Sequence, residues 1–148
     1  MILRETVTVR RSPSEVFGWI ADLQRARRWQ IGVLDCEITE ATPEVIGTRF
    51  RQTVGDESRH VELTGEVTDF QADELIEFVV TGRGLVIRTR YFLSAVGQST
   101  RLEVASDVRL GGWVSVLLAP FVRGKSVKHL RAELERLGEA CEGRLPGG

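Results

Sequence analysis

Seven strand-length segments that alternate apolar and polar residues, followed by one stretch with helical periodicity, constrain this chain's fold more than any other feature. Alternation at period two marks a strand buried on one face only. Leu3–Arg10 sets Leu3, Glu5, Val7 and Val9 against Arg4, Thr6, Thr8 and Arg10. Val33–Glu40 offers Leu34, Cys36 and Ile38 to one side, and Thr48–Val54 offers Phe50, Gln52 and Val54. Gly55-Asp56-Glu57 is a hairpin signal. Arg59–Phe70 then aligns Val61, Leu63, Gly65 and Val67, and Leu75–Thr81 aligns Ile76, Phe78 and Val80. Past Gly82-Arg83-Gly84, Leu85–Ser94 opposes Leu85, Ile87, Thr89, Tyr91 and Leu93 to Val86, Arg88, Arg90 and Phe92. In Arg101–Arg109, Leu102, Val104, Ser106 and Val108 oppose charged neighbours.

Seven strands with one charged face predict an antiparallel sheet covered on one side only. The cover is the last segment. Val127, Leu130, Leu134, Leu137 and Cys141 recur at helical spacing, with Lys128, Arg131, Glu133 and Glu135 expected on the other sides. Pro120 interrupts the segment between Trp113 and Val127, so a kink or a short separate helix is expected there. Arg88 and Arg90 are expected on the wet face, where Arg88→Glu should leave folding nearly unchanged.

Between the first two strands lie short helices. Ser12-Pro13-Ser14-Glu15 combines a capping serine, a proline at the first helical position and a capping-box acid. Val16, Phe17 and Ile20 form the apolar stripe of a helix ending near Asp22, and a basic turn, Leu23–Arg28, leads into Trp29. Strand, two short helices, six strands and a long helix define an α+β helix-grip fold. The sheet curves around the C-terminal helix in a single domain over residues 1–142, with 143–148 a flexible tail.

The chain has 148 residues, enough for one core without staples, and a net charge of −1. That balance gives no field for nucleic acid or acidic membranes, so nucleic acid is not an expected partner. Cys36 and Cys141 lack CxxC or Cys/His spacing and are read as small apolar core residues, not a zinc site. No signal-peptide run opens the chain and no transmembrane run of eighteen apolar residues occurs, so a cytoplasmic location is expected. A monomer and a dimer are both compatible with these properties.

The residues also resemble a family. Ser12-Pro13 with Val16-Phe17, then Asp22-Leu23, then Trp29 before the second strand, is similar to the opening of the START-like (SRPBCC) superfamily, in its polyketide cyclase/dehydrase-like branch. Ile46-Gly47-Thr48 resembles the start of its third strand. Leu130-Arg131-Ala132-Glu133-Leu134 with Glu139 resembles its closing helix. The resemblance spans essentially the whole chain and implies an apolar cavity between sheet and helix. The superfamily holds lipid carriers, hormone receptors, polyketide cyclases, quinone-binding chaperones and ring-hydroxylase subunits, and fold does not choose among them. The iron ligands of the hydroxylases are missing here, so no cofactor and no metal are expected.

The expected partner is a small hydrophobic ligand. Its candidate wall is Phe50, Gln52, Val54, Leu63, Phe78, Val80, Tyr91, Val104 and Ser106 on the sheet, with Trp29 beside them. Trp113, Leu117 and Phe121 are expected to close one end near Pro120, and Gly124 to leave space under the helix. Gln52, Tyr91 and Ser106 carry weight because an unpaired buried polar group costs about 1–3 kcal/mol. Water or a ligand must then be near.

Catalytic signals are thin. His60 alternates with Val61 toward solvent, His129 neighbours the apolar stripe, and Ser106 has no His/Asp company for a triad. Arg59 shares parity with Val61 and is the one candidate for an inward cation. Gly82-Arg83-Gly84 precedes a strand, not the helix N-terminus of a phosphate loop. Arg25, Arg27 and Arg28 read as a solvated basic face. Binding or transport of a hydrophobic molecule is the leading expectation, ahead of a cyclase/dehydratase-type enzyme and a protein-interaction groove.

Overall fold

A computed structural model describes residues 1–111 and 127–144. β1 (Ile2–Val9) is followed by α1 (Pro13–Ala21), a 3-10 turn (Leu23–Arg25) and α2 (Ala26–Trp29). Then come β2 (Val33–Glu40), β3 (Arg49–Gly55), β4 (His60–Gln71), β5 (Leu75–Gly82), β6 (Leu85–Val96), β7 (Ser99–Leu110) and α3 (Val127–Cys141). The strands form one antiparallel sheet in the order β1-β7-β6-β5-β4-β3-β2. Hairpins join β2 through β7 in series, and β7 returns to pair with β1. The helix-grip architecture is therefore present, with α3 packed on β1 and against α1 and α2. Trp113, Leu117, Pro120, Phe121 and Gly124 lie outside the described residues.

The start of α1 follows its local chemistry. Ser12 is extended, its Oγ accepts a hydrogen bond from Glu15 N at 3.3 Å, and Pro13 fills the first helical position, where no donor is needed. The Glu15 carboxylate lies 3.7 Å from Arg11 Nε. Ser12→Ala is expected to cost about 1 kcal/mol in denaturant melts, with ligand affinity unmoved. A stability change within error would remove the cap from the account.

Inward faces agree with the alternation on β1, β5, β6 and β7, where Val9, Ile76, Tyr91 and Leu102 are all buried. Register shifts alter it elsewhere, between Val33 and Asp35 and between Ile38 and Glu40 on β2, and between Val67 and Asp69 on β4. Between Val33 and Asp35 the β2 register slips against β3, so Val33 faces Val54 and Cys36 faces Gln52. Leu34, expected inside, sits in that bulge and is exposed. Ile38 keeps its place opposite Phe50 but is exposed because β2 is the sheet's edge and no strand lies beyond it. The slip between Val67 and Asp69 turns Phe70 inward, where its ring meets Phe17 edge-on at 5.5 Å.

On α3, Leu130, Leu134, Leu137 and Cys141 are buried, while Val127, at the first turn, is exposed. Glu133 departs from the expectation of a solvent-facing side chain. It lies next to Leu134 on the buried side and is 6% exposed.

The convex face is also less simple than alternation implies. Glu77 points outward yet is only 5% exposed. Its carboxylate accepts hydrogen bonds from Thr68 Oγ1 at 2.7 Å, Arg88 at 2.8 Å and Arg90 Nε at 2.9 Å, and Arg90 also reaches Asp69 at 3.2 Å. Burial pulls the Glu77 carboxyl upward. Hydrogen bonds from Thr68 and Arg90, with the charges of Arg90 and Arg88, outweigh it and hold the group below the usual carboxylate range. Arg88 and Arg90 do face outward, but they are the partners of a buried acid. The expectation that Arg88→Glu is harmless is corrected accordingly.

Candidate functional site

The sheet's inner face and α3 enclose a cavity of about 80 Å³. Its floor comes from the cross-strand rows. Phe50 on β3 lies opposite Gly65, Gly65 opposite Val80, and Val80 opposite Ile87. The next row runs Phe78, Thr89, Ser106 and Leu3. Gln52 and Tyr91 flank these rows, Leu23 and Gln30 close the side of the short helices, and His129, Leu130 and Glu133 come down from α3. Gly65 supplies no side chain in the first of these rows, and the Phe50 ring occupies the space over it.

Of the residues expected from sequence, Phe50, Gln52, Phe78, Val80, Tyr91 and Ser106 line this cavity. Val104 is buried in the main core beside it. Trp29 stands one layer back, its ring edge-on to Tyr91 at 6.2 Å, and its buried Nε1 has no hydrogen-bond partner among the described residues. Leu63 joins a separate cluster with Leu85 and Val108, and Val54 packs against both clusters, because the sheet continues past the end of the cavity. Arg59 lies in the exposed β3–β4 turn, where its N–H donates to Asp56 Oδ1, so it is no inward cation. His60 is exposed.

Sequence reading missed Gln30, His129 and Glu133, which bring polar groups from the side of the helices. Gln30 and His129 sit where alternation and the helical stripe assign no inward face. Glu133 is adjacent in sequence to Leu134 and only a register argument separates them. The four-residue spacing of His129 and Glu133, which puts both on one helix face, was the available signal.

The polar wall is organised. Glu133 Oε1 accepts the Ile31 N–H at 3.0 Å, tying α3 to the chain after α2. Thr89 Oγ1 and Ser106 Oγ are 3.1 Å apart on the floor, and Gln52 Nε2 is 3.5 Å from Gln30 Oε1. Burial and, after it, the Glu133 charge push the Tyr91 phenol far above its ordinary range, so it stays an O–H donor. Burial likewise pushes the Cys36 and Cys141 thiols up to about 12, which leaves them unreactive. Both are free. Among the described residues, no three His, Cys, Asp or Glu side chains gather as a metal site requires, and no helix is long and apolar enough to cross a membrane.

A seven-stranded antiparallel sheet with α3 packed against it and a part-polar cavity between them is a helix-grip arrangement. The family model "Polyketide cyclase / dehydrase and lipid transport" matches residues 2–142, and the chain belongs to that family. No curated protein matches it in sequence. Among solved structures, a protein from Thermus thermophilus is similar with a TM-score of 0.76 at 16% identity, covering 97% of this chain and 98% of its own. A START superfamily protein from Mycobacterium smegmatis gives 0.71 at 21% identity, covering 97% and 95%. The di-domain ARO/CYC protein StfQ of the steffimycin biosynthetic pathway gives 0.73 at 11% identity, covering 97% of this chain and 51% of that one. At such identities the likeness is one of fold.

Proposed function

We propose that the protein binds and carries a small hydrophobic molecule with a polar end, seated between α3 and the sheet. The observation that carries this reading is the cavity itself, with Leu3, Phe50, Phe78, Val80, Ile87 and Leu130 in its wall beside a few converging polar groups. Mostly apolar walls with few orienting polar groups are the usual form of a ligand site. The family's lipid-transport description points the same way. A cyclase or dehydratase activity is the second reading. It is favoured by one observation, the convergence of a carboxylate, a phenol and an imidazole (Glu133, Tyr91 and His129) on the same space.

Val80→Phe is expected to abolish binding of a hydrophobic fluorescent probe while changing stability by less than about 1 kcal/mol, since the added ring has room. In a filled core the same insertion costs about 1–3 kcal/mol. Marked destabilisation, together with an absence of probe binding in the parent, would remove both the cavity and the carrier reading.

A further inference from the structure

The short helices carry a basic patch on their outer side that the cavity does not use. Arg25 and Arg28 place their guanidiniums over the ring of half-buried Trp19, 4.4 and 5.0 Å from its centroid. Arg27, next along α2, is exposed. Arg136, exposed on α3, donates to the Arg28 carbonyl at 2.9 Å and so joins the group. Asp22, 3.3 Å from Arg25 Nε, is its paired carboxylate. Glu133, three residues before Arg136, is turned inward onto the Ile31 amide. Among the described residues, no carboxylate lies within ion-pair distance of Arg27, Arg28 or Arg136. A net charge of −1 gives no field over the whole molecule, but four guanidiniums against one carboxylate act locally, within a Debye length of about 8 Å.

The chemistry of the patch narrows what it fits. Stacking on an indole holds a guanidinium in place and leaves its N–H edge free to grip a phosphate with two parallel bonds. An indole among polar groups suits the boundary between water and lipid. The same elements also reach the cavity. Leu23 and Gln30, on either side of these arginines in sequence, line it, as does Leu130 of α3. An acidic protein would need the charges alone, whereas the indole and the neighbouring cavity favour lipid.

We propose that Trp19, Arg25, Arg27, Arg28 and Arg136 form a docking surface for a membrane bearing anionic phospholipids. The arginines take headgroup phosphates, and Trp19 lies at headgroup level. Docking here holds the short-helix side of the cavity toward the lipid. The patch stands apart from the carrier reading, which bears only on what docking serves.

Co-sedimentation of the full chain with phosphatidylcholine vesicles, with and without about 30% phosphatidylglycerol, tests this. Binding is expected to the anionic vesicles only, and it should weaken as salt is raised. One basic side chain near such a surface is worth about fivefold, so Arg27→Glu, a charge reversal, is expected to weaken binding about twentyfold. Arg4→Glu makes the same charge change at an exposed position of β1 and is expected to weaken binding less than about threefold. Neither side chain makes a hydrogen bond among the described residues, so both variants should fold. Failure to bind anionic vesicles overturns the docking surface, and so does equal binding to both vesicle types or an equal loss in the two variants. Capture of poly-L-glutamate without capture of vesicles overturns it in favour of an acidic protein partner. Each of these results leaves the carrier reading standing, because probe binding in the cavity is measured without lipid. The lipid and salt dependence of the parent decides the matter even where a variant does not fold.

Discussion

Gly65→Ala is expected to destabilise the protein by about 1–3 kcal/mol, although it adds one methyl group to a strand. Phe50 and Gly65 are direct cross-strand partners, and a Cβ at position 65 would overlap the Phe50 ring, with even Cε1 only 2.6 Å away. Such a contact forces something to move. The β4 backbone is held on both sides by β3 and β5, so the ring must give way, and its open side is the cavity. The variant should therefore lose ligand binding as well as stability. A double-mutant cycle in urea identifies the cause. With alanine at position 65, Phe50→Leu should cost clearly less than in the parent, because the smaller side chain relieves the overlap. Additive costs, within about 0.5 kcal/mol, would mean that the ring and the glycine are not coupled.

Arg88→Glu is expected to cost about 1–3 kcal/mol near neutral pH. Reversing this charge both removes a hydrogen bond from the buried Glu77 carboxylate and sets a like charge beside it. Breaking a fully buried pair costs about 3–5 kcal/mol. Arg88 is about half exposed, so solvent screens part of that, and Arg90 still neutralises Glu77. The pH dependence follows from Glu77, whose folded value is depressed below the unfolded one. Its contribution is present above the ordinary glutamate value, about 4.3, and is lost as pH falls through the folded value. The gap between parent and variant should accordingly narrow in acid, as Glu77 and the introduced carboxylate take up protons. A difference below about 0.5 kcal/mol at neutral pH, typical of an ordinary surface change, would show the Glu77 cluster to be idle.

Most of the sheet was legible because one face is wet and the other packed, so period two survives in β1, β5, β6 and β7. Leu34 and Phe70 were misplaced or left unassigned for one reason. A bulge inserts a residue and puts the side chains on its two sides out of phase, and no composition signal marks it. Glu77 was opaque because alternation says which way a side chain points and nothing about what stands over it. The convex arginines that mark the face as wet are the groups that bury it. At the cavity, the apolar wall followed from parity and the resemblance. The polar group from α3 did not, since Glu133 reaches the interior by its helical register and by a tie to Ile31, a residue distant in sequence.

The central claim is that a hydrophobic ligand sits between α3 and the sheet, and isotope-filtered NMR on methyl-labelled protein with 2-naphthol tests it most directly. The account predicts intermolecular contacts from the naphthol ring to the methyl groups of Leu3, Val80, Ile87 and Leu130, which come from three strands and the helix. Contacts confined to the exposed methyl groups of Leu34, Ile38, Val86 and Val96, or saturable binding that leaves the cavity methyls unshifted, would contradict it.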